Sequence, residues 1–143
     1  MSKSNLHETA YLKLVFQNIA AANIGDAGGL QPSSTAGSLY VALYSDDPTD
    51  ADTGTEIVYT RYARIAVARS VAGFTVSGNE VTNAAILIFP TSTGGSDTAT
   101  HFAIRTAITG GDLIGSGALS GSLVIATSDI PKFNIGDLKV TEN

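Results

Sequence analysis

The sequence contains no cysteine and no tryptophan among its 143 residues. Without cysteine the chain can form no disulfide, no thiolate zinc site and no cysteine nucleophile, and the redox state of its compartment stays open. Charged residues are also scarce, at 15% against about 25% in an ordinary soluble domain. A surface with so few charges is poorly protected against association, which favours an obligate oligomer or an assembly subunit.

Basic residues are few and scattered. The chain has eight Lys and Arg against 13 Asp and Glu, for a net charge of −5. Binding to nucleic acid depends on cations that displace counterions from phosphates, so this balance argues against a nucleic-acid partner. Arg61, Arg64 and Arg69 lie near one another, but in a strand Arg64 would face away from the other two.

The N-terminal apolar patch is broken by Lys13 and Gln17 and is preceded by Glu8. Neither a signal peptide nor a membrane span fits that pattern. We therefore expect no membrane partner and synthesis in the cytoplasm.

The first twenty residues predict the only helix of the chain. The apolar side chains spaced for one helical face are Leu12, Val15, Phe16 and Ile19. Ser4 can cap the start of the helix, and Asn23–Gly25 is expected to end it. Residues 25–38 are rich in Gly, Ser and Pro and predict a flexible connector. We therefore treat 1–38 as a helix with its connector, separate from a β domain at 39–143.

Downstream of residue 38 the period changes from helical to strand-like. Short apolar or alternating runs predict seven or eight strands, at residues 39–44, 62–69, 74–77, 81–89, 100–106, 113–119, 122–126 and 133–140. The stretches between them are rich in Gly, Pro, Asp and Ser. This spacing favours an all-β fold, an antiparallel, jelly-roll-like β-sandwich with an N-terminal α-helix.

An acidic loop follows the first strand and is a candidate calcium site by its composition. Its carboxylates are Asp46, Asp47, Asp50, Asp52 and Glu56. Calcium takes six to eight oxygen ligands at set intervals in such loops. Counted from Asp50, Gly54 stands where a ligand is needed and the twelfth position is Arg61. A turn whose Asp side chains bond local N–H groups explains the loop better, so no metal is expected.

No catalytic or cofactor motif is present. Serine does not occur in a GxSxG context, and the two histidines, His7 and His101, lie far apart in the sequence. The glycine-rich stretches at 25–29 and 109–117 lack the Walker and GxGxxG patterns and lead into strands or loops rather than helices. We expect no cofactor and no enzymatic activity. Gly110 and Gly111 are expected to form a hairpin turn.

Five segments occur together in an order that is typical of one family. They are LYVALYSDDPTDADTGTEI from residue 39, YARIAV at 62–67, TNAAILIFPTS at 82–92, THFAIRTAITGGDLIGSGALS at 100–120 and NIGDLKVTEN at 134–143. With these segments the chain resembles a family of small virion proteins of tailed bacteriophages, commonly labelled phage tail fibre protein. The sequence departs from the family pattern between Ala118 and Lys132, where Ile130-Pro131 replaces a simpler strand pair.

The resemblance implies a non-enzymatic structural protein of the virion. A capsid decoration subunit that stabilises the head is the leading hypothesis, because the chain has no fibrous repeat and its helix has no obvious partner within the chain. The alternative is a tail fibre or baseplate-associated module that binds a receptor or carbohydrate, with Tyr40, Tyr44, Tyr59 and Tyr62 as stacking candidates. A hydrolase is a third possibility.

The expected partners are other copies of the chain, with a trimer favoured, and the major capsid protein or other virion proteins. The side chains predicted to form these contacts are Leu12, Val15, Phe16, Ile19, Tyr62 and Arg64. The first four form the helical stripe, and the last two share one face of a predicted strand.

Overall fold

A computed structural model describes residues 2–142. Within that range the chain forms one helix and nine strands: α1 (Asn5–Gln17), β1 (Ser38–Tyr44), β2 (Ile65–Ala68), β3 (Phe74–Ser77), β4 (Glu80–Asn83), β5 (Leu87–Ile88), β6 (Asp97–Arg105), β7 (Leu113–Ile125), β8 (Lys132–Phe133) and β9 (Lys139–Thr141). The sheets are antiparallel, so the expected all-β, sandwich-like class with an N-terminal helix is confirmed. The jelly-roll detail stays a prediction.

The strands form three sheets with the orders β2-β1-β6-β7, β3-β4-β9 and β5-β8. The chain also divides into two compact units. We call residues 2–38, Val67–Ala85 and 135–142 the helix unit, and Leu39–Ala66 with Ile86–Asn134 the β1 unit. The expected grouping of everything from residue 39 onward into one domain stays a prediction.

Helix α1 begins where the sequence predicts and ends earlier. Ser4 is its N-cap and accepts a hydrogen bond from the backbone N–H of His7. The helix stops at Gln17, because Asn18 adopts a left-handed conformation and its N–H bonds to the carbonyl of Lys13. The predicted end near Asn23–Gly25 was therefore wrong: an asparagine five residues earlier already supplies the left-handed cap.

The helix packs within its own unit. Leu12 and Phe16 are fully buried, and the ring of Phe16 meets that of Phe74 edge-on with centroids 5.2 Å apart. Gln17 donates to the carbonyl of Phe74 over 2.8 Å, and Thr9 donates to that of Gly78 over 2.7 Å. The expectation that the helix lacks a partner within the chain was therefore wrong.

Arg69 fastens the C-terminal end of the helix. Its Nε donates to the carbonyl of Val15 over 2.7 Å and its Nη2 to that of Leu14 over 2.9 Å. Its Nη1 reaches the carbonyl of Ala36 at 3.1 Å. The last carbonyls of a helix have no partner within the helix, and a cation there also favours the helix dipole.

The β1 unit is built around the pairing of β1 with β6, which runs without interruption from Tyr40 opposite Arg105 to Tyr44 opposite His101. Strand β7 pairs with the other edge of β6 but shifts register, so that Leu119–Ser122 stand opposite Thr100 alone. The sequence predicted two strands separated at Ser120-Gly121; the structure has one bulged strand.

The β5-β8 ribbon covers one face of this sheet. The rings of Phe102 on β6 and Phe133 on β8 meet at 6.0 Å, nearly perpendicular. Phe89, just beyond β5, continues the aromatic contact to Phe133. The predicted strands at 62–69 and 81–89 proved shorter: β2 begins only at Ile65, after a turn that includes Arg61 with a φ of 78°, and residues 84–86 separate β4 from β5.

Among residues 2–142, no helix has the length and apolar character needed to cross a bilayer.

Replacing Arg69 with alanine removes the hydrogen bonds to the helix end and exposes those carbonyls. We expect Arg69→Ala to lower the free energy of unfolding by roughly 2–3 kcal/mol, the range for hydrogen bonds to a charged group. Urea unfolding followed by circular dichroism measures this. Arg61→Ala is the matched control, since Arg61 is exposed, and it should change stability by less than about 0.5 kcal/mol. Equal losses in the two variants would contradict the role given to Arg69.

Candidate functional site

The acidic loop after β1 is organised by its own side chains. Asp46 accepts hydrogen bonds from the backbone N–H and the hydroxyl of Thr55, and Asp47 accepts from the N–H of Thr49. The loop closes further through the N–H of Thr53, which donates to the carbonyl of Pro48 over 2.8 Å. These are the local bonds that Asp-rich turns are expected to make.

Asp52, at the far side of the loop, pairs with Arg105 of β6. The carboxylate receives Nη1 at 2.5 Å and Nη2 at 2.8 Å, so the pair is bidentate. Nη1 also donates to the hydroxyl of Tyr44, and Nη2 donates to the carbonyl of Gly111. The side chain of Arg105 is only 8% exposed, and hydrogen bonding to Asp52 raises the pKa of its guanidinium above the ordinary value.

The register of β1 and β6 explains why Arg105 can reach so far. Tyr44, Ala42 and Ala103 form a buried cluster on the face that also carries Arg105. Side chains directly opposite in an antiparallel pair share a face. Two alanines on that face leave room for the long arginine side chain to lie across the sheet toward the tyrosine hydroxyl.

Arg64 makes a second bidentate pair, with Glu56. Its Nε lies 2.9 Å from Oε1 and its Nη2 lies 2.7 Å from Oε2. Its Nη1 donates to the carbonyls of Ala107 and Gly110, each over 2.7 Å. Four of the five N–H donors of a guanidinium are thereby used. Hydrogen bonding to Glu56 raises the pKa of Arg64 above its ordinary value.

Tyr62 links this pair to β1. Its hydroxyl donates to Oε1 of Glu56 over 2.7 Å and accepts from the N–H of Leu43 over 3.0 Å. Burial raises the pKa of Tyr62 far above the ordinary tyrosine value, so the phenol keeps its proton. Strand β2 begins only at Ile65, and the Tyr62 hydroxyl therefore satisfies a strand N–H that a neighbouring strand would otherwise satisfy.

Glu56 remains ionised at the centre of these contacts. Burial alone would raise the pKa of its carboxyl, but the hydrogen bonds from Arg64 and Tyr62 together outweigh burial and lower the pKa below the ordinary value.

Both arginines bind carbonyls of the loop between β6 and β7, residues 106–112. Arg64 holds Ala107 and Gly110, and Arg105 holds Gly111. Gly110 and Gly111 have φ values of 60° and 71°, as the predicted turn requires. The loop is thus fixed to the acidic loop through two ion pairs and presents Ile108 to solvent, 55% exposed.

An open concavity of roughly 490 Å³ lies beside the Arg64–Glu56 pair. Its lining includes exposed apolar side chains, Val58 and Ile108, and the polar groups of Glu56, Tyr62 and Arg64. These polar groups are already hydrogen-bonded within the chain. The concavity therefore combines exposed apolar area with polar groups that are paired internally.

The structure gives the metal candidates other roles. Asp46 and Asp47 bond local backbone, Asp52 pairs with Arg105, and Glu56 pairs with Arg64. Asp50 is exposed. Within the described chain, no group of three or more His, Cys, Asp or Glu side chains is arranged to hold a metal ion.

The predicted contact residues fall into three groups. Leu12 and Phe16 are covered by the chain itself, so they are core residues and cannot also form a subunit contact in this conformation. Val15 is half-buried, and Ile19 lies beyond the helix end and is exposed. The polar groups of Tyr62 and Arg64 are engaged within the chain; a subunit contact through them or through Val15 and Ile19 stays a prediction.

The pairing of Arg105 with Asp52 was missed by the sequence analysis. The register places His101, Ala103 and Arg105 on one face of β6. The partner lies 53 residues away in sequence, and no local pattern identifies it.

Comparison with protein families gives a match to this sequence. The profile of a family described as Podophage GP4 fiber I protein gp80 matches residues 2–141, nearly the whole chain. No curated protein gives a significant match to the sequence.

The lowered pKa of Glu56 makes stability depend on pH. Since the unfolded carboxyl has a pKa near 4.5, the unfolded state takes up the proton first on acidification, and the contribution of Glu56 is lost as pH falls below that value. We expect Glu56→Gln to be less stable than the wild type at about pH 7 and the gap to shrink toward about pH 3. Urea unfolding at the two pH values measures it.

The control for this experiment is Asp50→Asn, which removes an exposed carboxylate that makes no ion pair within residues 2–142. A gap that stays constant with pH for Glu56→Gln would show that the carboxylate charge does not stabilise the fold.

Two adjacent glycines test how tightly the 106–112 loop is held. A Cβ at Gly111 would lie 2.7 Å from the Thr106 hydroxyl oxygen and 2.8 Å from the Ala107 backbone nitrogen, whereas a Cβ at Gly110 would meet nothing within 4 Å. Both have positive φ, so Gly110→Ala should cost about 1 kcal/mol of stability from backbone strain alone. Gly111→Ala should cost roughly 1–3 kcal/mol more, from overpacking. Thermal unfolding compares them, and equal costs would mean that the loop moves freely.

Proposed function

Since the chain belongs to the family described as Podophage GP4 fiber I protein gp80, and is therefore a phage structural protein, we propose that it serves as a fibre subunit of the virion. The observation that carries the proposal is the extent of the match, which spans residues 2–141 and so includes both the helix unit and the β1 unit. The fibre was the alternative hypothesis from the sequence, and the description of the family supports it better than head decoration.

The structure weakens one argument for head decoration. That hypothesis drew on a helix without a partner, which would then dock on a neighbouring subunit. Helix α1 instead packs on Phe74 and is fastened by Arg69 within its own unit. Low charge and an all-β fold suit a fibre subunit equally well, so the lack of a fibrous repeat in the sequence is the argument for head decoration that is left.

The loops fixed by Arg64 and Arg105 fit a structural role. Loops held on a rigid scaffold are the usual place for contacts with other molecules. Here two ion pairs hold the acidic loop and the 106–112 loop in one arrangement, beside a concavity with exposed apolar groups. We infer that these loops contact other virion proteins, and that the subunit acts without enzymatic activity.

Three of the four tyrosines named as stacking candidates give no support for sugar binding, and the fourth, Tyr40, is half-buried. Tyr44 and Tyr59 are buried, and the hydroxyl of Tyr62 is engaged with Glu56 and Leu43. A sugar platform needs an exposed aromatic face beside polar groups. We therefore propose that the loops, rather than the tyrosines, contact other virion proteins. The major capsid protein would be one of these partners only if the subunit decorates the head.

Labelling of intact particles tests the location. Antibodies raised against the purified chain, carried on gold, should mark fibres or the tail region of purified phage in negative-stain electron microscopy. Particles from a phage with the gene deleted are the control and should bind no gold. Gold confined to the heads would overturn the proposal in favour of decoration, and particles without label would remove the chain from the virion surface.

A further inference from the structure

The segment Ala85–Pro90, with the sequence AILIFP, contains β5 and is apolar on both faces of that strand. Leu87 and Phe89 point into the β1 unit and are 6% and 1% exposed. The alternate residues Ile86 and Ile88 are 53% and 60% exposed. Strands that are apolar on both faces are typical of sheets covered on both faces, whereas this ribbon is covered on one.

Strand β8 extends the same outward face. Ile88 stands opposite Lys132 in the register. The backbone pairing of the two segments continues beyond β5 and β8, since the N–H of Phe89 donates to the carbonyl of Pro131 and the N–H of Ser92 donates to that of Asp129. Ile130, two residues from Lys132, is 54% exposed. We call Ile86, Ile88, Ile130 and Lys132 the ribbon patch. Adjacent exposed isoleucines of this kind mark interaction surfaces.

The patch carries one cation, Lys132, and an anion, Asp129, precedes Ile130; neither charge forms an ion pair within residues 2–142. Lys132 is exposed and makes no ion pair within residues 2–142. Asp129 accepts a hydrogen bond from the backbone N–H of Ala126 but has no cationic partner in the same described range. An apolar centre with one cation and one anion beside it is complementary to a copy of itself turned about a rotation axis.

We propose that the ribbon patch is a homotypic interface, in which Ile86, Ile88 and Ile130 of one chain pack against the same residues of another. Lys132 of each chain then lies near Asp129 of its neighbour. A second copy is the favoured occupant because the patch supplies both charges that the pairing requires. The segment Ile130-Pro131, which departs from the family pattern, thus acquires a role. The proposal concerns the isolated chain and does not depend on its location in the particle.

Substitution at the centre of the patch tests the interface. Ile88→Asp places a charge in the contact and should weaken self-association of the full chain at least about tenfold, measured by analytical ultracentrifugation over a concentration series. Val71→Asp is the matched control, since Val71 is 68% exposed and lies in the helix unit, and it should associate as the wild type does. Ile130→Asp, outside a regular strand, repeats the test without altering β5, and circular dichroism verifies folding of each variant.

The absence of cysteine permits a second measurement. A chain with Ile88→Cys carries a single thiol and should form cross-linked oligomers with a bis-maleimide, whereas Val71→Cys should remain a monomer on denaturing gels. A monomeric wild type, unchanged association of both aspartate variants, or equal cross-linking at the two cysteines would each overturn the proposal. A monomeric wild type whose Ile88→Asp variant also fails to enter particles would assign the patch to another virion protein instead, and would leave the fibre assignment intact.

Discussion

The antiparallel pairing of β1 with β6 is the constraint on which the rest of the β1 unit depends. Its register sets Ala42 and Ala103 opposite each other and so opens a path for Arg105 to reach Tyr44 and Asp52. The opposite face carries Phe102, which packs on Phe133 of the ribbon. A shift of one residue would exchange these faces, placing the arginine in the aromatic core and the phenylalanine against the acidic loop.

Two arginines then connect loops that lie far apart in the sequence. Each arginine forms a bidentate pair with one carboxylate of the acidic loop and also donates to the 106–112 loop. The same two side chains therefore hold both loops. Breaking such a pair leaves an uncompensated charge in a poorly solvated place, which costs more than the pair itself contributes. The geometry therefore holds exposed loops in one conformation. A subunit that must join neighbours in a particle benefits from contact loops that need no ordering on assembly.

Local signals in the sequence were sufficient for the start of the helix, for the presence of most strands and for the glycine turn, but not for the end of the helix or the ends of several strands. Ser4 accepts a hydrogen bond from the N–H of His7, only three residues away, and the turn at Gly110-Gly111 depends on the positive φ angles of those two residues. The errors arose where a distant group intervenes. Leu12 and Phe16 looked like contact residues but are buried, and Phe74 packs on Phe16. Arg69 satisfies the helix end from 54 residues away. The sequence also could not assign to Tyr62 and Arg64 the carboxylate that both bind, Glu56; a subunit contact through them stays a prediction.

The sequence by itself determined the all-β class, the helix cap, the turn-forming acidic loop and the phage family, because these depend on short-range periodicity, on backbone preferences and on motifs in a fixed order. Only the tertiary structure decided which carboxylate meets which arginine, which apolar residues are core and which face of the β5-β8 ribbon is left uncovered. Those outcomes depend on register between strands distant in the chain. Five carboxylates in one loop are alike in sequence, and only the fold distinguishes Asp52 and Glu56, which hold the loops together, from the others.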